Sequence, residues 1–207
     1  MAEIVSDTRV SAWGGGESPY AVSSNKLGMW LFLMSDTLTF TAFLITYSYL
    51  RLANVDWPRP FGGFSILMAT VMTFCLLSSS LTMVLAVAAA KRQEIRQAVI
   101  WLIATIGGGV LFMILHVNEW LELIHEGVTP FGNPWGVPLF GASFFALTGL
   151  HMTHVTGGVV YLAIVAYGLG KGKLGSDDVE VSGLYWHFVD LIWMFIFPMV
   201  YLLSNQM

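Results

Sequence analysis

Apolar residues gather in five runs along this chain, roughly 27–50, 64–90, 98–124, 139–169 and 183–203, with short polar breaks between them. The run from Phe64 to Ala90 holds no charged side chain. The last, GLYWHFVDLIWMFIFPMVYLL from Gly183 to Leu203, is 21 residues long. At about 1.5 Å of rise per residue, such a helix covers about 30 Å, the thickness of a bilayer's hydrocarbon core. Backbone N–H and C=O groups in lipid must be paired inside the segment, and a helix does that. The pattern therefore predicts an all-α integral membrane bundle of five helices. The breaks carry turn chemistry. Asp56-Trp57-Pro58-Arg59-Pro60 and Gly62-Gly63 form the first and Lys91-Arg92-Gln93-Glu94 the second; three prolines and three glycines fill Gly127–Pro138, and Gly170–Gly183 follows. Gly107–Gly109, Gly141, Gly149, Gly157 and Gly158 suit close helix contact, and Pro198 predicts a kink in the fifth span.

Composition agrees with that reading. Of 207 residues 56% are hydrophobic and 11% charged, and the mean hydropathy is +0.71, far from soluble averages. Residues 1–26 read as a polar amino-terminal tail without the basic-then-apolar order of a signal peptide, and 27–207 as the membrane domain. The nine basic residues form no patch, which excludes nucleic acid as a partner. They do set an orientation. With the amino terminus cytoplasmic, that side holds Arg9, Lys26, Lys91, Arg92, Arg96, Lys171 and Lys173, seven residues, against Arg51 and Arg59 opposite. This is the positive-inside bias, and it puts the carboxyl terminus in the periplasm. The one cysteine, Cys75, reads as a buried structural thiol. Trp30, Tyr47, Tyr49, Trp101, Trp120, Tyr185 and Tyr201 read as interfacial anchors.

A few ionisable side chains interrupt the apolar runs. A charge at mid-helix costs about 2.5–3.5 kcal/mol on insertion scales, so each needs a partner or a purpose. Asp36 stands in LFLMSDTLTF with no cation near it in sequence. Such a carboxyl favours its neutral form unless a partner arrives from another helix. It reads either as a proton-exchanging group or as a structural acid bonding two helices. His151 and His154 lie one turn apart on the fourth run, and His187 and Asp190 share a face of the fifth. On the third run, His116, Glu119 and Glu122 fall toward the outer end, where the two glutamates read as a polar surface rim. Together these groups are expected to line one polar seam inside the bundle. A metal held by His151 and His154 would need further donors at the same depth. Four histidines on three spans also raise a haem, but their depths offer no opposed pair.

Four segments carry a resemblance. Gly183–Leu203 looks like the last-helix signature of subunit III of haem–copper terminal oxidases, and GMWLFLMSDTLTFTAFLITY, Gly28–Tyr47, is similar to that family's run of Ser, acid and aromatics. FFALTGLHMTHVTGGVV, Phe144–Val160, resembles its paired-histidine helix, and Asn118-Glu119-Trp120 its Glu-aromatic segment before a loop. The resemblance spans about Lys26 to Leu203 in one order.

It implies the short five-helix bacterial type, multi-pass in the inner (plasma) membrane. It also implies a non-catalytic chain with no metal and no haem or copper of its own. Those groups are expected in partner subunit I, which reduces oxygen to water with proton translocation, alongside subunit II and other subunits. This chain would stabilise subunit I, bind phospholipid and support proton uptake, the cytochrome c oxidase type being the first reading before the quinol type. By motif position Asp36 takes the place of the family's membrane acid, and His116, Glu119, His151, His154, His187 and Asp190 take places in the polar seam or at lipid and partner contacts. Two departures stand out. Seven-helix members have glutamate at the position of Asp36, and His116 stands where glutamine is common. A subunit associated with nitric oxide reductase and an independent membrane haem protein are the alternatives, and a transporter is a third.

Overall fold

The computed structural model describes residues 23–203; the expected polar tail lies outside them up to residue 22. Among the described residues five α-helices form: α1 Ser24–Ala53, α2 Gly63–Lys91, α3 Ile95–His125, α4 Pro138–Gly170 and α5 Ser176–Phe197. All five are long and apolar enough to cross a membrane, α5 together with the turn that follows it. The chain is an all-α membrane bundle. Helix α5 starts at Ser176, earlier than its apolar run. Its first turn carries Asp177 and Asp178, acids that suit the positive end of a helix dipole, and the Asp178 carboxylate accepts from the Gly175 N–H at 2.9 Å. At the other end, Pro198 has no N–H to continue the ladder. Residues Pro198–Leu202 form a π-helical turn, closed by the Leu203 N–H on the Pro198 carbonyl.

Helices α2, α3, α4 and α5 close a ring, each packed on the next, and α1 docks in the groove between α4 and α5. Small residues let the ring close. A methyl group added at Gly109 would sit 2.5 Å from the Trp186 ring, and one at Gly158 3.0 Å from the same ring. Glycines on α3 and α4 thus make the slot in which this α5 tryptophan lies. Its indole N–H donates to Ser79 Oγ on α2 at 3.0 Å. Two turns on, the Trp193 N–H donates to Thr73 Oγ1 at 2.9 Å. Each ring therefore fills space and satisfies its one polar atom on α2. Thr82 and Thr105 hydroxyls meet at 2.8 Å between α2 and α3.

The loop end of the bundle is aromatic. Trp57 and Phe61, from the break before α2, fold inward against Phe140 at 5.5 and 6.4 Å, and Phe61 meets Tyr201 at 4.6 Å. Tyr47 and Tyr201 are fully buried in this cluster, so they are core residues rather than interfacial anchors. Trp30 and Tyr49 are exposed, as anchors would be. Cys75 is only partly buried, not enclosed as expected, because its stretch of α2 turns partly toward the lipid.

Candidate functional site

Helix α1 reaches the ring through three buried residues, Leu33, Phe40 and Tyr47, each seven positions after the last. That spacing makes a narrow seam of the coiled-coil kind. Asp36 stands one turn after Leu33 on the same seam, which turns it away from lipid. Its Oδ2 lies 2.9 Å from Nε2 of His154 on α4. The neighbouring hydroxyls do not share this bond, since Thr37 and Thr39 donate to the carbonyls of Leu33 and Ser35 on their own helix.

The other ring nitrogen of His154 fixes where the protons are. Nδ1 lies 2.8 Å from the Leu150 carbonyl oxygen. A carbonyl only accepts, so Nδ1 carries a hydrogen. The 2.9 Å contact at Nε2 then needs one proton between the partners. Either a neutral carboxylic acid donates to a neutral imidazole, or an imidazolium donates to a carboxylate. Both arrangements hold the same number of protons, and moving between them displaces one proton along the bond. Phe40 packs edge-on to the His154 ring at 5.1 Å, and the Tyr185 hydroxyl donates to the His154 carbonyl at 2.9 Å. The pair is not sealed: side-chain exposures of 15% and 18% leave it open toward whatever covers the α1–α4 face.

A second cluster sits inside the ring. Glu119 on α3 accepts from the Tyr201 hydroxyl at 2.7 Å through Oε2, and His116 Nδ1 stands 3.2 Å from the same oxygen. The expected surface rim is thus half wrong. Glu119 is 8% exposed, whereas Glu122 does face outward. The reason is Tyr201, brought over Glu119 by the π-helical turn. His116 and His151 are completely buried, and Trp193 and Phe112 pack against both. His151 stacks on Trp193 with centroids 5.2 Å apart.

A third group joins α2 and α5. Ser80 Oγ meets His187 Nδ1 at 2.6 Å, and Asp190, 5% exposed, lies one turn further along α5. The expected seam consists of three contacts with different partners, the first two joined through Phe40, which packs on both His154 and His151. Among the described residues no three His, Cys, Asp or Glu side chains are placed to hold one metal ion. The rings of His116 and His151 are surrounded by this chain's own aromatic side chains, and those of His154 and His187 are engaged with Asp36 and Ser80.

The sequence model described as Cytochrome c oxidase subunit III matches residues 4–205. The chain belongs to the cytochrome c oxidase subunit III family. It is 35% identical over 183 residues to the quinol oxidase subunit 3 of Bacillus spizizenii, covering 87% of each chain. It is also 33% identical over 181 residues to the cytochrome c oxidase subunit 3 of Alkalihalophilus pseudofirmus, covering 86% of each. Relatives of nearly equal similarity thus carry both names, which gives no preference to the cytochrome c type over the quinol type. With five spanning helices, this member of the family is a multi-pass protein of the inner membrane and a subunit of a multi-subunit respiratory oxidase.

Several residues that organise this subunit III were not singled out from sequence. Glu180 receives Lys26 and, at 2.9 Å, Lys91, tying α1, α2 and α5 at one end. Its apolar neighbours Val179 and Val181 gave a signal, since an acid at the edge of a spanning run must find a cation. Ser80 and Trp193 gave none, because serine and tryptophan are ordinary in such a helix.

Proposed function

We propose that this chain braces the haem- and copper-bearing subunit I of its oxidase without redox chemistry of its own, with its amino terminus cytoplasmic, bound phospholipid at its surface, and a supporting part in proton uptake. Subunit I would reduce oxygen to water and translocate protons, with subunit II and other subunits beside it. The observation that carries this reading is the Asp36–His154 bond. It unites the peripheral helix with the ring, contains one transferable proton, and stays partly open on the α1–α4 face. A purely structural brace would need only the bond. A proton-supporting group needs the proton and the opening as well. The seven-to-two distribution of basic residues supports the orientation, and Lys26 and Lys91 do meet at one end of the bundle through Glu180.

The test separates the two halves of the proposal. An asparagine amide donates to the Nε2 lone pair of a neutral imidazole but exchanges no proton at that position. The Asp36→Asn oxidase is expected to assemble with full haem content and the same initial turnover as the unaltered complex, and then to lose activity faster during sustained catalysis. Asp36→Ala should show the same decay with weaker retention of the subunit. Equal decay in Asp36→Asn and unaltered complexes rejects the proton-supporting part and leaves the brace.

A further inference from the structure

Between the loop-end halves of α2 and α3 lies a cavity of about 360 Å³, and Asn118, Glu122 and His125, all exposed, line it toward the end of α3. Beside it a space of about 20 Å³, close to the room that one water needs, is lined by Ser65 with Glu122 and Glu126. Glu119 borders both spaces. It is 8% exposed, Tyr201 engages one of its carboxylate oxygens, and Oε1 has no hydrogen-bond partner among the described residues. A buried carboxylate oxygen without a donor is costly, and water from a polar space is the usual way such a group is satisfied.

The charge of Glu119 has no fixed counterpart. Among the described residues neither wall carries a lysine or arginine, and no three His, Cys, Asp or Glu side chains are placed to hold a metal ion. The basic side chain within ion-pair distance is His116, whose Nδ1 lies 3.2 Å from Oε2. One proton therefore balances the pair, as imidazolium beside carboxylate or as carboxylic acid beside neutral imidazole. Behind His116 the way is shut. Phe112, Trp120 and Trp193 stand against its ring at 5.6, 5.2 and 5.4 Å. His151 packs on Phe112 and Trp193 in turn, with neither ring nitrogen hydrogen-bonded among the described residues. The other titratable groups around Glu119 are Tyr201 on the terminal turn, Tyr47 on α1 against Trp57, and Glu122, His125 and Glu126 on α3. Helix α2 adds none to either wall.

We infer that Glu119 and His116 form a proton-storing site that fills and empties through water in these two spaces, from the loop end of the bundle, and that the rings behind His116 make it a dead end. The step moves one proton. A hydronium in the recess passes its proton to Oε1 of Glu119 and leaves as water, and the reverse step empties the site. The Tyr201 hydroxyl keeps its bond to Oε2 in both states, so no helix has to move. This site is separate from the Asp36–His154 bond, which opens on the α1–α4 face, and it does not rest on the role proposed for that bond.

The experiment places the whole oxidase complex in heavy water and follows deuterium at C2 of each histidine ring by peptide mass spectrometry. That hydrogen exchanges when hydroxide attacks an imidazolium, so its rate reports both water access and the imidazolium population. His116 is expected to exchange clearly faster than His151, although both rings are completely buried. A carboxylate within about 4–6 Å favours an imidazolium, so Glu119→Gln, which leaves Tyr201 an acceptor, should slow His116 several-fold with haem content unchanged. Asn118→Phe, at an exposed position on the cavity wall, should also slow His116, by narrowing the route, and it decides the matter if Glu119→Gln fails to assemble. Asp36→Asn should leave the His116 rate unaltered. Equally slow exchange at His116 and His151 overturns the site, and equally fast exchange overturns the dead end. An unchanged His116 rate in Glu119→Gln overturns the pair, and one in Asn118→Phe overturns the route. A slower His116 in Asp36→Asn would join the two acids in one network and overturn their separation.

Discussion

Asp36 and Glu119 are both acids within membrane helices, and each stands beside a histidine, yet their surroundings have little else in common. Asp36 belongs to the peripheral α1, bonds across to α4, and keeps 18% of its side chain exposed. Glu119 belongs to the ring, is held by Tyr201 from the far end of α5, and sits under a roof of aromatic side chains. The first contact is a single bond on an open face. The second is one part of a packed core, and removing any member disturbs its neighbours. A histidine beside an acid therefore does not define a role. The packing around the pair does.

The sharpest way to break that contrast is to remove the core beneath Glu119. Trp193→Ala deletes a ring that packs on Phe112, His116, His151 and Tyr201. Loss of such a buried ring costs about 3–5 kcal/mol, so the subunit should dissociate from the detergent-purified complex at clearly lower temperature. Thermal dissociation followed by gel or mass photometry checks it, and an unchanged midpoint would contradict the core role. Tyr201→Phe takes only the hydroxyl from Glu119 Oε2. Leaving a buried acceptor without its donor costs about 1–3 kcal/mol, and the same dissociation assay should show a smaller shift.

Weaker again is the bond on the open face. A double-mutant cycle of Asp36→Leu and His154→Leu should give a coupling of about 0.6 kcal/mol, the average for polar contacts between membrane helices, and no more than about 1.7 kcal/mol. A coupling near zero would mean that the two side chains do not depend on each other. Smallest is Lys26→Ala. The Glu180 carboxylate keeps Lys91 at 2.9 Å, and a partly exposed ion pair contributes less than about 1 kcal/mol. Subunit retention in moderate salt should be nearly unchanged. A large loss would show that the α1–α5 junction depends on this pair far more than its exposure suggests.

Much of the fold was legible because hydropathy is a local property. The apolar runs forced helices through backbone hydrogen bonding alone, and the early start of α5 could have been read from Asp177 and Asp178, which favour a helix amino terminus. The Leu33–Phe40–Tyr47 spacing was likewise visible, and would have put Asp36 on the packed face. Tyr201 was misread because aromatic residues near a span's end suit a membrane interface and a core equally well. Glu119 was misread with it. Its burial depends on a tyrosine 82 positions away, carried there by a turn that proline shapes.

By itself, the sequence determined that this chain crosses the membrane five times, which side chains would be expensive there, and to which family it belongs. Only the tertiary structure decided which partner each of those side chains meets, that Asp36 meets a histidine 118 positions later, and that Glu119 borders a cavity. The reason is physical. Crossing a bilayer is settled within each segment, by the need to pair every backbone polar group, whereas the partner of a buried acid is settled by the rotation and neighbours of whole helices, which no single segment encodes.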